Sequence, residues 1–125
     1  PNRTEYDWLS TNNDNVDRYI EDPYCGTVFS ASFFRDLAYG IEKVNNFKNI
    51  KNINKNLPIF LISGKEDPVG NFSKGVKKVY SDYIKAGIPD IQMNFYEGLR
   101  HEILNETGKE KVYKDILNWL IKYIP

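Results

Sequence analysis

His101 is the single histidine of the chain and Cys25 the single cysteine. An imidazole can act as general base and acid near neutral pH, and it does so best when a carboxylate fixes its tautomer and stabilises the imidazolium. Asp67 is the carboxylate placed for that task. It lies four residues past Ser63, in the loop after one apolar run, and His101 lies five residues past Tyr96, in the loop after a second. Functional groups of open α/β sheets collect beyond the carboxyl ends of the strands. If the two runs are neighbouring strands, their ends are about 4.8 Å apart, and the carboxylate can reach a ring nitrogen. The pair would then be the orienting half of a nucleophilic triad. Each residue also has a plainer reading. A lone loop histidine is more often solvated or structurally bonded, and an Asp before Pro68 is a common turn former or helix cap.

The partner that such a pair needs is not evident. The serines are Ser10, Ser30, Ser32, Ser63, Ser73 and Ser81, and none lies in a Gly-x-Ser-x-Gly elbow. One cysteine excludes an intramolecular disulfide and a Cys-only metal site, and one histidine excludes a multi-histidine cluster. No metal or organic cofactor is called for. Cys25 reads as a small buried hydrophobe, and Glu66, Glu97, Glu102 and Glu106 read as solvated or capping carboxylates. Asn2-Arg3-Thr4, Asn71-Phe72-Ser73 and Asn105-Glu106-Thr107 match the glycosylation sequon. The sparing use of cysteine and the polar start, with no leader pattern, make these matches accidental and predict a reducing, cytoplasmic setting.

The elements that must position Asp67 and His101 follow from periodicity. Ile59-Phe60-Leu61-Ile62, between Pro58 and Ser63-Gly64, predicts a strand buried on both faces, as in a parallel sheet. Val76, Val79, Tyr80, Tyr83 and Ile84 predict an amphipathic helix stopped by Gly87, with Pro89 beyond. Ile91 to Tyr96 alternates and predicts a strand near the sheet edge. Strand, helix and strand at these lengths make a right-handed crossover between parallel strands. Thr107-Gly108-Lys109-Glu110 has the form of a capping box before a last helix carrying Val112, Ile116, Trp119, Leu120 and Tyr123. Upstream, Asp14 is expected to cap a short helix through Ile20. Ser30 or Ser32 should cap a helix bearing Phe34, Leu37, Ala38, Ile41 and Val44. The Asn/Lys-rich stretch from Asn45 to Asn56 reads as a loop.

The chain has 125 residues, with 17 Lys and Arg balancing 17 Asp and Glu, so it lacks the basic footprint of a nucleic-acid binder. A mean hydropathy of −0.56 fits a globular chain, and no apolar run approaches the roughly 20 residues of a membrane span.

Leu57-Pro58-Ile59-Phe60-Leu61-Ile62-Ser63-Gly64-Lys65-Glu66-Asp67-Pro68-Val69-Gly70 resembles the strand and acid loop of α/β-hydrolases of the lysophospholipase and monoacylglycerol-lipase type, the serine aminopeptidase S33 group. Phe95-Tyr96-Glu97-Gly98-Leu99-Arg100-His101-Glu102-Ile103-Leu104-Asn105-Glu106 is similar to the catalytic-histidine loop of the same family. Arg3 to Ser10, Asp22 to Gly26 and the helix with Phe34-Arg35-Asp36-Leu37 resemble the return from the cap region to the core. The resemblance implies a Ser–Asp–His triad in which Asp67 is the acid and His101 the base. It implies an α/β fold that is the C-terminal portion of an α/β-hydrolase, the last two parallel strands with flanking helices, preceded by a cap remnant. Residues 1–27 would end the cap and 28–125 belong to the core.

On that reading the nucleophile and oxyanion hole lie in a missing N-terminal part, which is the expected partner. The full-length protein would be a carboxylic ester hydrolase acting on lysophospholipids, monoacylglycerols or another small acyl substrate. The chain alone would be inactive, and its open sheet edge would invite self-association. The competing reading is a small non-catalytic α/β interaction or ligand-binding module, with Asp67 and His101 as ordinary loop polar groups.

Overall fold

The computed structural model describes residues 2–124. Its elements run α1 (Asn13–Glu21), α2 (Ala31–Asn45), α3 (Phe47–Ile50), β1 (Ile59–Gly64), α4 (Lys74–Lys85), β2 (Ile91–Tyr96) and α5 (Glu110–Leu120). The two strands pair in parallel, in a register running from Ile59 opposite Ile91 to Gly64 opposite Tyr96. Their carboxyl ends are therefore level, and both following loops leave the same edge.

Helix α4 makes the crossover, and its end is built as the sequence predicts. Gly87 takes a φ of +84°. Its amide donates to the Ile84 carbonyl at 2.9 Å while the Ile88 amide donates to that of Tyr83 at 3.1 Å, the paired bonds of a Schellman stop. Ile88 then turns inward and is buried, which starts β2 in its register.

The core beside the site comprises Tyr96, Ile103 and Val112, with Ile62, Leu99 and Ile116 packed against them. Helix α5 covers one face of β2. Trp119 stacks on Phe60 at 5.7 Å, and Asp115 accepts from the Tyr96 hydroxyl at 3.1 Å and from the Asn94 amide at 3.3 Å. The polar residues of the alternating strand thus meet a polar position on the helix.

Several expectations are corrected. Ile59 to Ile62 are half-buried rather than enclosed, because among the described residues β1 has a strand neighbour on one side only. The cap of α1 is Asn12, whose side chain accepts from the Asp14 amide, not Asp14 itself. Ser30, of the two candidates, caps α2 by accepting from the Phe33 amide. The Asn/Lys stretch is not all loop: Asn46 starts the single turn α3, which buries Ile50. Thr107 does not cap α5, which begins at Glu110 after Gly108 adopts a φ of +83°. Cys25 is half-buried, not buried.

No residue of α2 is buried. Phe33, Phe34, Leu37, Ile41 and Val44 are exposed, and Phe29 and Phe33 stack on one another at 4.3 Å. Among the described residues no helix is long and apolar enough to cross a membrane.

Candidate active site

The acid loop leaves β1 in a tight wrap around Asp67. Its carboxylate is buried, and one oxygen accepts from the Val69 amide at 2.8 Å. The Phe72 amide donates back to the Asp67 carbonyl at 2.9 Å. Closing this wrap requires Asn71, Phe72 and Ser73 in succession at φ values of 50°, 50° and 73°. Left-handed backbone at residues with side chains costs on the order of 1–3 kcal/mol apiece, so the loop is held by its surroundings rather than by local preference. Gly70 lies against the carboxylate, where a Cβ would come within 3.3 Å of Oδ2.

Oδ2 of Asp67 faces Nδ1 of His101 at 3.1 Å. The histidine side chain is 39% exposed and the aspartate 9%, so a buried carboxylate orients an imidazole whose far edge is open. With Nδ1 donating to the carboxylate, Nε2 is the nitrogen left to exchange a proton. Both expected residues are thus brought together.

The two loops approach each other at Gly64. A Cβ there would fall 2.1 Å from the Arg100 carbonyl oxygen and 2.3 Å from that of Leu99. Backbone bonds stitch the same seam, from the Lys65 amide to Tyr96 and from the Glu66 amide to Leu99, each at 2.9 Å. Only a residue without a side chain permits this contact.

The N-terminal segment is the part of the site that sequence reasoning missed. The Trp8 ring lies 5.3 Å from the imidazole, tilted by 52°. The Glu102 amide donates to the Leu9 carbonyl at 2.8 Å, and the Arg100 guanidinium donates to the Asp7 carbonyl. Asp7 is buried and accepts from the Thr4 hydroxyl at 2.6 Å; the Thr4 hydroxyl, ahead of burial, sets the direction of its shift and holds its carboxyl below the ordinary range.

Of the four glutamates expected to be solvated or capping, Glu66 and Glu97 are exposed, Glu102 is half-buried and Glu106 is a correction. Glu106 is 1% exposed. It accepts from Ser10 Oγ at 2.8 Å, Thr11 Oγ1 at 2.6 Å, the Thr11 amide at 2.9 Å and the Arg100 amide at 2.8 Å. Burial pushes its carboxyl up, but these donors together outweigh burial and hold it below its ordinary value. A buried carboxylate is tolerated when its lone pairs are met in this way. The signal was weak in the sequence because the side-chain partners, Ser10 and Thr11, are 95 or more residues away.

Two parallel strands, a helical crossover and an acid–histidine pair at their carboxyl ends define the C-terminal portion of an α/β-hydrolase fold. The family model for serine aminopeptidases, S33, matches residues 1–108, and the chain belongs to that family. Among solved structures it is similar to a thermostable carboxyl esterase from Bacillus coagulans in complex with glycerol, with 25% identity and a TM-score of 0.81 over 97% of this chain and 40% of that one. A lipase in its open form is 29% identical, with a TM-score of 0.80 over 90% of this chain and 36% of that one. A monoacylglycerol lipase from Paleococcus ferrophilus shares the fold at 23% identity, with a TM-score of 0.78, over 97% of this chain and 44% of that one. The chain therefore spans well under half the length of each. No curated protein matches it.

Proposed function

We propose that this chain carries the acid and the base of a serine hydrolase that cleaves carboxylic esters, and that the nucleophilic serine and oxyanion hole come from a part of the protein outside it. The observation that carries the reading is the 3.1 Å contact of Asp67 Oδ2 with His101 Nδ1 across the ends of two level parallel strands. His101 Nε2 takes the proton of the serine hydroxyl as its oxygen attacks the ester carbonyl. It returns that proton to the departing alkoxide, and an acyl-enzyme remains. It then takes a proton from water as the water oxygen attacks the acyl carbonyl, and gives it to the serine oxygen as the acyl–serine bond breaks; Asp67 stabilises the imidazolium each time. The substrate is a lipid ester, a monoacylglycerol or lysophospholipid, in keeping with the lipase and the carboxyl esterase whose structures the chain matches.

On this reading residues 1–27 close a cap and 28–125 belong to the core of a cytoplasmic enzyme. The missing part covers the free edge of β1 and the apolar face of α2. Without it, the chain associates with itself through those surfaces. The decisive comparison is p-nitrophenyl ester hydrolysis by the full-length protein, its His101→Ala variant and the 125-residue chain. Activity is expected from the first alone. Turnover by the chain that vanished in His101→Ala would overturn the missing nucleophile, and full activity of the full-length variant would leave Asp67 and His101 as ordinary groups of a binding module.

A further inference from the structure

We propose that Glu106 is a positioning residue for His101, acting through the Leu99–Arg100 peptide just upstream of it. This rests on the catalytic reading above for its effect on rate, and on geometry alone for its effect on the imidazole.

His101 sits on backbone that is held on both sides. Before it, the Arg100 amide donates to Glu106 at 2.8 Å, and after it the Glu102 amide donates to Leu9 at 2.8 Å. Glu106 does not touch the imidazole. Its carboxylate bridges the Arg100 amide to Ser10 and Thr11, so that the N-terminal segment carrying Trp8 and the loop carrying His101 form one unit. The division of labour between the two oxygens makes the carboxylate specific. Oε1 takes the Arg100 amide, while Oε2 takes the hydroxyls of Ser10 and Thr11, and the Thr11 amide lies between them. Glutamine has one acceptor oxygen. Turned toward Arg100, its NH2 meets another N–H donor; turned toward Ser10 and Thr11, it makes their hydroxyls accept and leaves their own hydrogens without the carboxylate, so one side of the bridge is lost either way. With the bridge loosened, the Leu99–Arg100 peptide, held then chiefly by the Glu66 amide on the Leu99 carbonyl, can tilt and take the imidazole off the Asp67 oxygen. Displacement of a catalytic group by about 1 Å can cost about a hundredfold in rate.

The test compares Glu106→Gln with wild type in the full-length enzyme. The expected result is a fall in kcat of about ten- to a hundredfold with KM nearly unchanged, because the substrate touches His101 and not Glu106. In proton NMR, the low-field Nδ1–H signal of His101, present in wild type, is expected to be lost to solvent exchange. A well-folded Glu106→Gln protein with wild-type kcat and an intact Nδ1–H signal would overturn the proposal. If the variant does not fold, Thr11→Val removes one donor and keeps the carboxylate. It should give a smaller fall in kcat and faster Nδ1–H exchange, and wild-type behaviour in both would overturn the proposal equally. His101→Ala separates the two levels. An inactive His101→Ala beside a fully active Glu106→Gln refutes positioning alone. An active His101→Ala refutes the catalytic reading, and the Nδ1–H signal then decides whether Glu106 holds the imidazole.

Discussion

Around the His101 loop apolar and charged side chains alike are buried: Leu9, Ile103 and Val112 lie beside Asp7, Asp67 and Glu106. Along α2 none is, although its sequence is the more apolar and carries two adjacent phenylalanines. Both regions are amphipathic, so composition does not separate them. What separates them is whether the chain supplies the opposing surface. The first region closes on itself through bonds spanning more than 90 residues, from Ser10 and Thr11 to Glu106. The second presents Phe33, Phe34, Leu37, Ile41 and Val44 to water as one uncovered apolar stripe.

Breaking the first region should cost most. In the full-length enzyme, His101→Ala is expected to lower kcat about 10⁴-fold or more, as loss of a general base does in comparable triads, measured by steady-state ester hydrolysis. Val112 is fully buried against Tyr96 and Ile103. Val112→Ala removes two methylene equivalents and should destabilise by about 2 kcal/mol, read from urea unfolding. Acid should loosen the same region. Because the Glu106 carboxyl is held below its unfolded value, its contribution is present above about pH 4.3, the unfolded value. It is lost as pH falls through the lower folded value. The urea midpoint should therefore drop below pH 4.3, and less steeply in Glu106→Gln.

Changes on the second region should do little to folding. Phe33→Ser with Phe34→Ser should alter the unfolding free energy of the 125-residue chain by no more than about 0.5 kcal/mol, while light scattering shows weaker self-association. A large loss of stability would mean that α2 is already covered within the chain, and the contrast would fall. Smallest of all is the exposed pair Lys78–Asp82 on α4. Lys78→Ala should cost no more than about 0.5 kcal/mol, and less in high salt.

The same contrast explains what could be read in advance. Asp67 and His101 were legible because a four-residue apolar run and an alternating run mark strand ends, and residues just beyond strand ends are where chemistry gathers. The stop of α4 was legible because Gly87 and Pro89 act locally. Glu106 was not, since its meaning comes from Ser10 and Thr11 at the other end of the chain, and a neighbouring Thr107-x-x-Glu110 spacing mimicked a helix start. The left-handed Gly108 delays that start to Glu110. For α2, periodicity identified which face is apolar and narrowed the cap to Ser30 or Ser32, of which the structure uses Ser30. It could not tell whether anything in the chain would cover that face, because periodicity describes one helix and burial describes two surfaces.

The seam at Gly64 makes the site depend on an atom that is not there. The approach of the Asp67 loop to the His101 loop is set by the lack of a single methyl group, since a Cβ would overlap the Arg100 and Leu99 carbonyls. Gly64→Ala would leave every reactive atom in the protein yet wedge the two loops apart. The geometry of the pair thus depends on a position that bears no functional group.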